Sequence, residues 1–304
     1  SAWLNRMIAA EDNVRTALAW ALAPAAEPAR GELAVGLVAW MGPTWTAAGR
    51  VREGAAWLER ARPHAERFDA RIASGALAAS REHHELLARY WHAAGTMHRH
   101  GGADRRSAEM YQRAMEAFEA AGYVRGMAMA RHDLASRLIE LGEHDEALRL
   151  AEANVTLYES LGIENPLSAT LGLMGLLRLR LDDLNGARAA LLRSLDIARD
   201  NGNATLAAFD LLNLAEVEMA AGDLAATAVH LDALFAEAIR FPSMRSSAFS
   251  ALGRLREAQG RPEEALRCAQ DALRAAEEGT EEAVGAEAVA QAGFALVRLG
   301  DVDG

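Results

Sequence analysis

No lysine occurs anywhere in the chain; all 32 basic side chains are arginine. Without a side-chain amine there can be no lysine Schiff base and no phosphate-binding lysine of the P-loop kind, so both chemistries are excluded. Cysteine is almost as scarce. Cys268 alone cannot close an internal disulfide or build a cysteine metal cluster, which fits reducing surroundings, and it reads as a small buried apolar residue. Aromatic residues make up only 6% against a hydrophobic content of 51%, so the apolar content is carried mainly by Ala and Leu, strong helix formers. Prolines number seven, and alternating Val/Ile/Thr runs of the kind that make strands are missing, which predicts an all-α protein with no sheet.

Basic charge is also in deficit. A net charge of −11 gives no positive field to attract phosphates, so direct nucleic-acid binding is not expected. The opening residues lack the basic, apolar and small-residue succession of a signal peptide, and a cytoplasmic location is expected. The longest uncharged stretch runs from Leu33 to Gly49, just at the lower length limit for a membrane-spanning helix. It contains Gly36, Gly42, Pro43, Thr44 and Thr46, and reads as a buried helix of a soluble protein with no membrane contact.

What is present is a repeat. Gly102, Gly142, Asp182, Gly222, Gly260 and Gly300 stand in register with a nearly constant spacing. Seven positions before these turn residues come Gly95, Ala135, Gly175, Ala215, Gly253 and Gly293. Five positions after the first five come Ser107, Ala147, Ala187, Thr227 and Ala265. Small residues at both places predict that two helices cross closely there. Leu134, Leu138 and Leu141 share a helical face before Gly142, and Ala147, Leu150, Ala151 and Leu157 share one after it. Each unit is therefore expected to be helix, tight turn, helix, then a looser loop marked by Gly122, Gly162, Gly202, Pro242 or Gly279, with glycine at the tight turn adopting the left-handed conformation that ends a helix.

This pattern of small residue, turn glycine and small residue resembles the tetratricopeptide repeat, although the usual unit is shorter, at about 34 residues. The resemblance implies a right-handed superhelical solenoid of helical hairpins, here with repeats of about 40 residues and extra helical residues placed between hairpins. Upstream, Gly42, Gly49 and Gly54 keep the same three offsets, and the longer separation of Gly49 from Gly102 amounts to one unit plus an insertion near 69–81. The expected organisation is thus amino-terminal repeat-like helices over 1–68, an insertion or linker over 69–81, and five repeats plus a truncated sixth over 82–304. The incomplete last hairpin implies an excised fragment or a short cap, and leaves an exposed solenoid end that could support homo-oligomers.

The amino-terminal segment carries a more specific pattern: Trp3, Leu4, Glu11, Asp12, Asn13, Arg15, Ala17, Leu18 and Trp20, followed by Gly49, Glu53, Gly54, Trp57, Leu58 and Glu59. It resembles the start of the tetratricopeptide sensor region in large bacterial STAND regulators, the AfsR/SARP-like and LuxR-like predicted ATPases. That resemblance implies a sensor arm for transcriptional regulation, partnered by an ATPase module of the same parent chain. No P-loop or helix-turn-helix is recognisable in these residues. The Ala-rich, lysine-free composition fits a high-GC bacterial coding sequence.

Candidate sites follow from this register. His83, His84, His92, His98 and His100 crowd one helix, but none of their spacings supplies the convergent pairs zinc prefers and no HExxH motif occurs, so no metal is assigned. Paired carboxylates such as Asp182/Asp183 and Glu281/Glu282 fall at turns and helix starts, where they cap. Ser246 and Ser247 lack a nucleophile elbow. An enzyme is not expected, and neither is a cofactor.

Binding is the expected role. In tetratricopeptide arrays the first helix of each pair lines the concave surface, and carrying over those offsets selects Met129, His132, Ser136, Ile139, Leu176, Leu179, Arg180, Phe209, Leu212, Asn213, Glu216, Met219 and Arg254. The same offsets add Arg89, His92, Arg99 and His100 early in the chain and Glu257, Phe294 and Arg298 late. An apolar floor with polar anchors suits a peptide, a partner protein or a small inducer, with Arg180 and Arg254 as anion anchors; each of these side chains could equally pack between adjacent hairpins. Two alternatives stand beside the sensor arm: a free-standing scaffold recruiting a protein partner, and a metal-dependent hydrolase using the histidine-rich segment.

Overall fold

The computed structural model describes residues 11–23, 28–100, 102, 104–238 and 242–279, together with isolated positions beyond 288. Every regular element among them is an α-helix: α1 (Glu11–Ala21), α2 (Pro28–Ala47), α3 (Val51–Ala73), α4 (Arg81–His100), α5 (Asp104–Ala120), α6 (Val124–Glu140), α7 (His144–Leu161), α8 (Glu164–Arg180), α9 (Leu184–Asp200), α10 (Ala204–Ala220), α11 (Leu224–Ala238), α12 (Pro242–Ala258) and α13 (Pro262–Gly279). Successive helices pack as hairpins, α2 with α3, α4 with α5, α8 with α9, α10 with α11 and α12 with α13. The chain divides into two compact units, residues 1–150 and 151–304. Residues 69–73 continue α3 and 74–80 connect it to α4. The expected hairpin around Gly300, with Phe294, Glu281 and Glu282, lies outside the described residues.

The turn residues behave as their chemistry requires. Gly142 has φ 77° and Gly222 φ 78°, and the non-glycine member of the series, Asp182, is held at φ 62°. At each of these turns the chain closes the preceding helix with a pair of backbone bonds. Gly142 N–H donates to Ile139 C=O (3.0 Å) and Glu143 N–H to Leu138 C=O (2.8 Å). Asp183, Asn203 and Asp223 then cap the next helix by accepting from the backbone N–H of Gly186, Leu206 and Ala226.

One expectation about the turns is corrected. Gly162 (φ 64°) and Gly202 (φ 67°) close connections between hairpins as tightly as the turns within them, with Ile163 N–H reaching Tyr158 C=O and Asn203 N–H reaching Ala198 C=O. The additional residues of the lengthened unit lie in the helices, which run 17 residues in each of α8, α9 and α10. Two antiparallel helices of one hairpin bury each other's faces only over their shared length, so both lengthen together.

The small positions mark the crossings. Ser107 Oγ donates to Gly95 C=O at 2.8 Å, joining the position five after one turn to the position seven before it. A Cβ at Gly175 would come within 2.5 Å of Leu191 Cγ and 3.3 Å of the Ala187 carbonyl. In the first unit, Trp91, Tyr90, Tyr111 and Phe118 are fully buried, the Arg113 guanidinium lies 3.4 Å from the Trp91 ring centroid, and Tyr90 Oη donates to Leu58 C=O at 2.8 Å. The Leu33–Gly49 stretch runs along α2 into the turn after it, within this first unit, where Val35, Val38, Met41 and Trp45 are buried. Among the described residues no helix is long and apolar enough to cross a membrane. In the second unit, Leu191, Leu195, Leu211, Leu214, Leu231 and Leu255 form the core. There the nearly buried Glu218 takes a two-point grip from Arg188, Nε to Oε1 at 2.6 Å and Nη2 to Oε2 at 2.7 Å, tying α10 to α9.

Candidate functional site

In the second unit the first helices of three successive hairpins, α8, α10 and α12, pack side by side. Their free faces enclose a cavity of about 610 Å³, within the range of small-molecule and peptide sites. Leu176, Leu179 and Arg180 come from α8, Leu212, Asn213, Glu216 and Ala220 from α10, and Ser247 and Arg254 from α12. Seven residues picked out by the repeat register therefore share one wall: Leu176, Leu179, Arg180, Leu212, Asn213, Glu216 and Arg254. Leu179 and Leu212 serve twice, since each also packs against the unit's core.

The cavity's polar groups differ in how they are engaged. Arg254 is paired with Glu216 across the α10–α12 contact, so this cation is largely neutralised before any ligand arrives. Arg180 is exposed and has no ion-pair partner among the described residues. The Asn213 amide offers both a donor and an acceptor at the same wall. The arrangement can hold an apolar side chain against the leucines, pair a peptide group with Asn213 and take a carboxylate at Arg180.

Other register positions lie elsewhere. Phe209 is 50% exposed and does not line this cavity, and Met219 is half-buried against the core of the second unit. In the first unit, His132 is partly buried and its ring is driven towards the neutral form by burial, with nearby Asp133 opposing. Ser136 accepts from Arg137 Nη2 at 3.1 Å, and Ile139 is buried. Met129 lines a cavity of the first unit together with Arg89, His92 and Arg99. Ala220 and Ser247 in this groove, and Thr96, Phe118, Tyr123 and Asp133 among others in the first-unit cavity, line the walls without having been picked out as groove residues by the register, although Ser247 holds the same offset from its turn as Met129 and Phe209.

Three histidines of the histidine-rich helix have local partners. His92 Nε2 lies 2.8 Å from Asp133 Oδ2, His98 Nε2 lies 3.2 Å from Glu59 Oε1, and His83 Nδ1 approaches Ala78 C=O while its ring meets Phe68 edge-on. No three His, Cys, Asp or Glu side chains converge as a metal donor set among the described residues. Ser246 is buried and donates to Ala272 C=O at 2.7 Å.

One perturbed group went unnoticed in the sequence. Asp210 on α10 is fully buried against Gly172 and Ser194, and burial pushes its carboxyl up to about 7, with a smaller opposing pull from Ser194. Ser194 Oγ is already committed to Ser168 C=O at 2.8 Å, and neither Asp210 oxygen finds a partner among the described residues. Asp210 lies one position from Phe209 but faces the core and does not line the groove. Its only sequence signal is a carboxylate within an otherwise apolar helix.

No family model matches the sequence, and no curated protein sequence matches it. Solved structures do. The apo quorum sensor NprR from B. thuringiensis superposes with a TM-score of 0.73 at 12% identity, over 99% of this chain and 79% of that one. The Rap conjugation gene regulator of plasmid pLS20, in complex with the Phr* peptide, gives 0.61 at 14% identity over 88% and 85% of the two chains. BtubC (BKLC) from P. vanneervenii gives 0.57 at 20% identity over 77% and 90%. The described helices thus have the tetratricopeptide-like helical-repeat fold.

Proposed function

We propose that this chain is a non-catalytic binding arm whose α8/α10/α12 groove takes a short peptide or an extended segment of a protein partner. The observation that carries this reading is the convergence of Leu176, Leu179 and Leu212 with Asn213 and an uncommitted Arg180 in one cavity. Leucines there supply affinity through burial, while Asn213 and Arg180 fix polarity and register. The likeness to a Rap regulator solved with a peptide supports the same reading. A small organic inducer would use the same groups.

The amino-terminal pattern supports a further step, in which the arm belongs to a cytoplasmic bacterial STAND-type regulator and transmits binding to an ATPase module of the parent chain that governs transcription. A reading frame encoding a lysine-containing P-loop upstream of Ser1 bears this out; an initiation codon at that point overturns it in favour of a free-standing scaffold. Metal-dependent hydrolysis finds no donor set among the described residues to support it.

Selection of a random hexapeptide library on the purified protein tests the groove. Enriched peptides should combine apolar residues with a carboxylate and should lose about tenfold or more in affinity, about 1.4 kcal/mol, for Arg180→Ala and Asn213→Ala. Equal affinity for both variants places binding elsewhere and overturns the proposal.

A further inference from the structure

The first unit contains a second cavity of about 610 Å³, lined by residues of α2, α4 and α6 and by Phe118 and Tyr123 at the end of α5. It shares no lining residue with the groove of the second unit. Its chemistry differs. Tyr123, Pro43 and the half-exposed Met129 form its apolar wall, and the fully buried Phe118 ring backs Tyr123 edge to face at 5.5 Å between centroids. Gly126 makes room for that wall, since a Cβ there would stand 2.6 Å from both aromatic rings.

The polar groups leave one net positive position. Arg89 is bonded to Glu85 (Nη2 to Oε1, 2.7 Å) and its guanidinium lies 4.6 Å from the Trp40 ring centroid and 5.8 Å from that of Tyr123. His92 and Asp133 engage each other at 2.8 Å. Arg99 lines the cavity, is exposed, and has no ion-pair partner among the described residues. A flat apolar body would contact Tyr123, Pro43 and Met129 while an anionic group meets Arg99.

We propose that this cavity is a binding site for a small planar aromatic carboxylic acid, whose ring lies against Tyr123, Pro43 and Met129 and whose carboxylate is held by Arg99. The guanidinium supplies a two-point grip on a carboxylate that a neutral amide cannot reproduce. The site is independent of the peptide groove and of whether the chain is a regulator's arm.

Isothermal titration with 2-naphthoate and its neutral counterpart 2-naphthamide provides the test. Naphthoate should bind saturably and at least about tenfold more tightly than the amide. Arg99→Gln should weaken naphthoate about tenfold and leave the amide unchanged, while the same substitution at the exposed Arg106 should affect neither ligand. Met129→Trp, at a half-exposed position that tolerates the larger ring, should fill the cavity and weaken both ligands without loss of helical circular dichroism. Absence of saturable naphthoate binding, equal affinity for acid and amide, or an Arg99→Gln effect shared by both ligands overturns the proposal.

Discussion

Arg15 grips Glu53 with two hydrogen bonds, Nε to Oε1 at 2.6 Å and Nη2 to Oε2 at 2.9 Å, and ties α1 to the first turn of α3. Asp12 adds a third bond to the same guanidinium at 2.7 Å. All three residues belong to the amino-terminal sequence pattern, which thus encodes the docking of one helix on another. The hydrogen bonds from Arg15 hold the Glu53 carboxyl below the usual carboxylate range. Because a depressed pKa stabilises the charged form, this contribution is present above the ordinary glutamate value and is lost as pH falls through the depressed one. In Glu53→Ala the α1 amides should exchange with solvent about tenfold faster at neutral pH, measured by hydrogen exchange, with exchange in the second unit unchanged.

Gly175 tests the crossing. Gly175→Ala places a methyl within 2.5 Å of Leu191, in the interior of the second unit, and should cost about 2 kcal/mol in urea unfolding. Pairing it with Leu191→Ala should give a smaller loss than the two single losses added, because the second change vacates the space the first requires.

Asp182 is the non-glycine residue held at positive φ among those described. Asp182→Gly should raise stability in urea by about 0.5 kcal/mol with an unchanged m-value, because relief of the left-handed strain exceeds the added freedom of the unfolded chain only modestly.

Asp210 gives a pH dependence of the opposite sign to Glu53. Its folded-state pKa of about 7 stands above the ordinary 3.8, so the folded protein binds the extra proton between those values and loses stability as pH rises through that window. The penalty is complete above pH 7 and amounts to about 4 kcal/mol at 1.36 kcal/mol per unit. Asp210→Asn should therefore be more stable than the parent at pH 8 by about that amount and nearly equal to it at pH 4, as read from unfolding midpoints at the two values.

These four sites show what a sequence can carry. The turns and crossings were legible because their chemistry is local: a left-handed position wants Gly142, and a close approach wants Gly95 opposite Ser107. The even distribution of the lengthened unit over both helices was not legible, because Gly162 and Gly202 mark a turn without stating its length. Groove membership was legible only in part. Register identifies the face on which Leu212, Asn213 and Phe209 project, yet neighbouring hairpins enclose the first two and leave Phe209 half exposed. Asp133 and Ser247 became visible only once adjacent helices were in place. The burial of Asp210 depends on Gly172 of α8 and Ser194 of α9, both distant in sequence, and no local pattern announces it.

The location of binding is the central claim, and photo-crosslinking measures it directly. A diazirine side chain at Leu212, on the floor of the groove, is compared with one at Leu192, exposed on α9 outside it, in the presence of a peptide from the hexapeptide selection. Binding in the groove predicts covalent labelling at position 212 and none at 192, with competition by unlabelled peptide. Labelling at 192, or at both positions without competition, would contradict it.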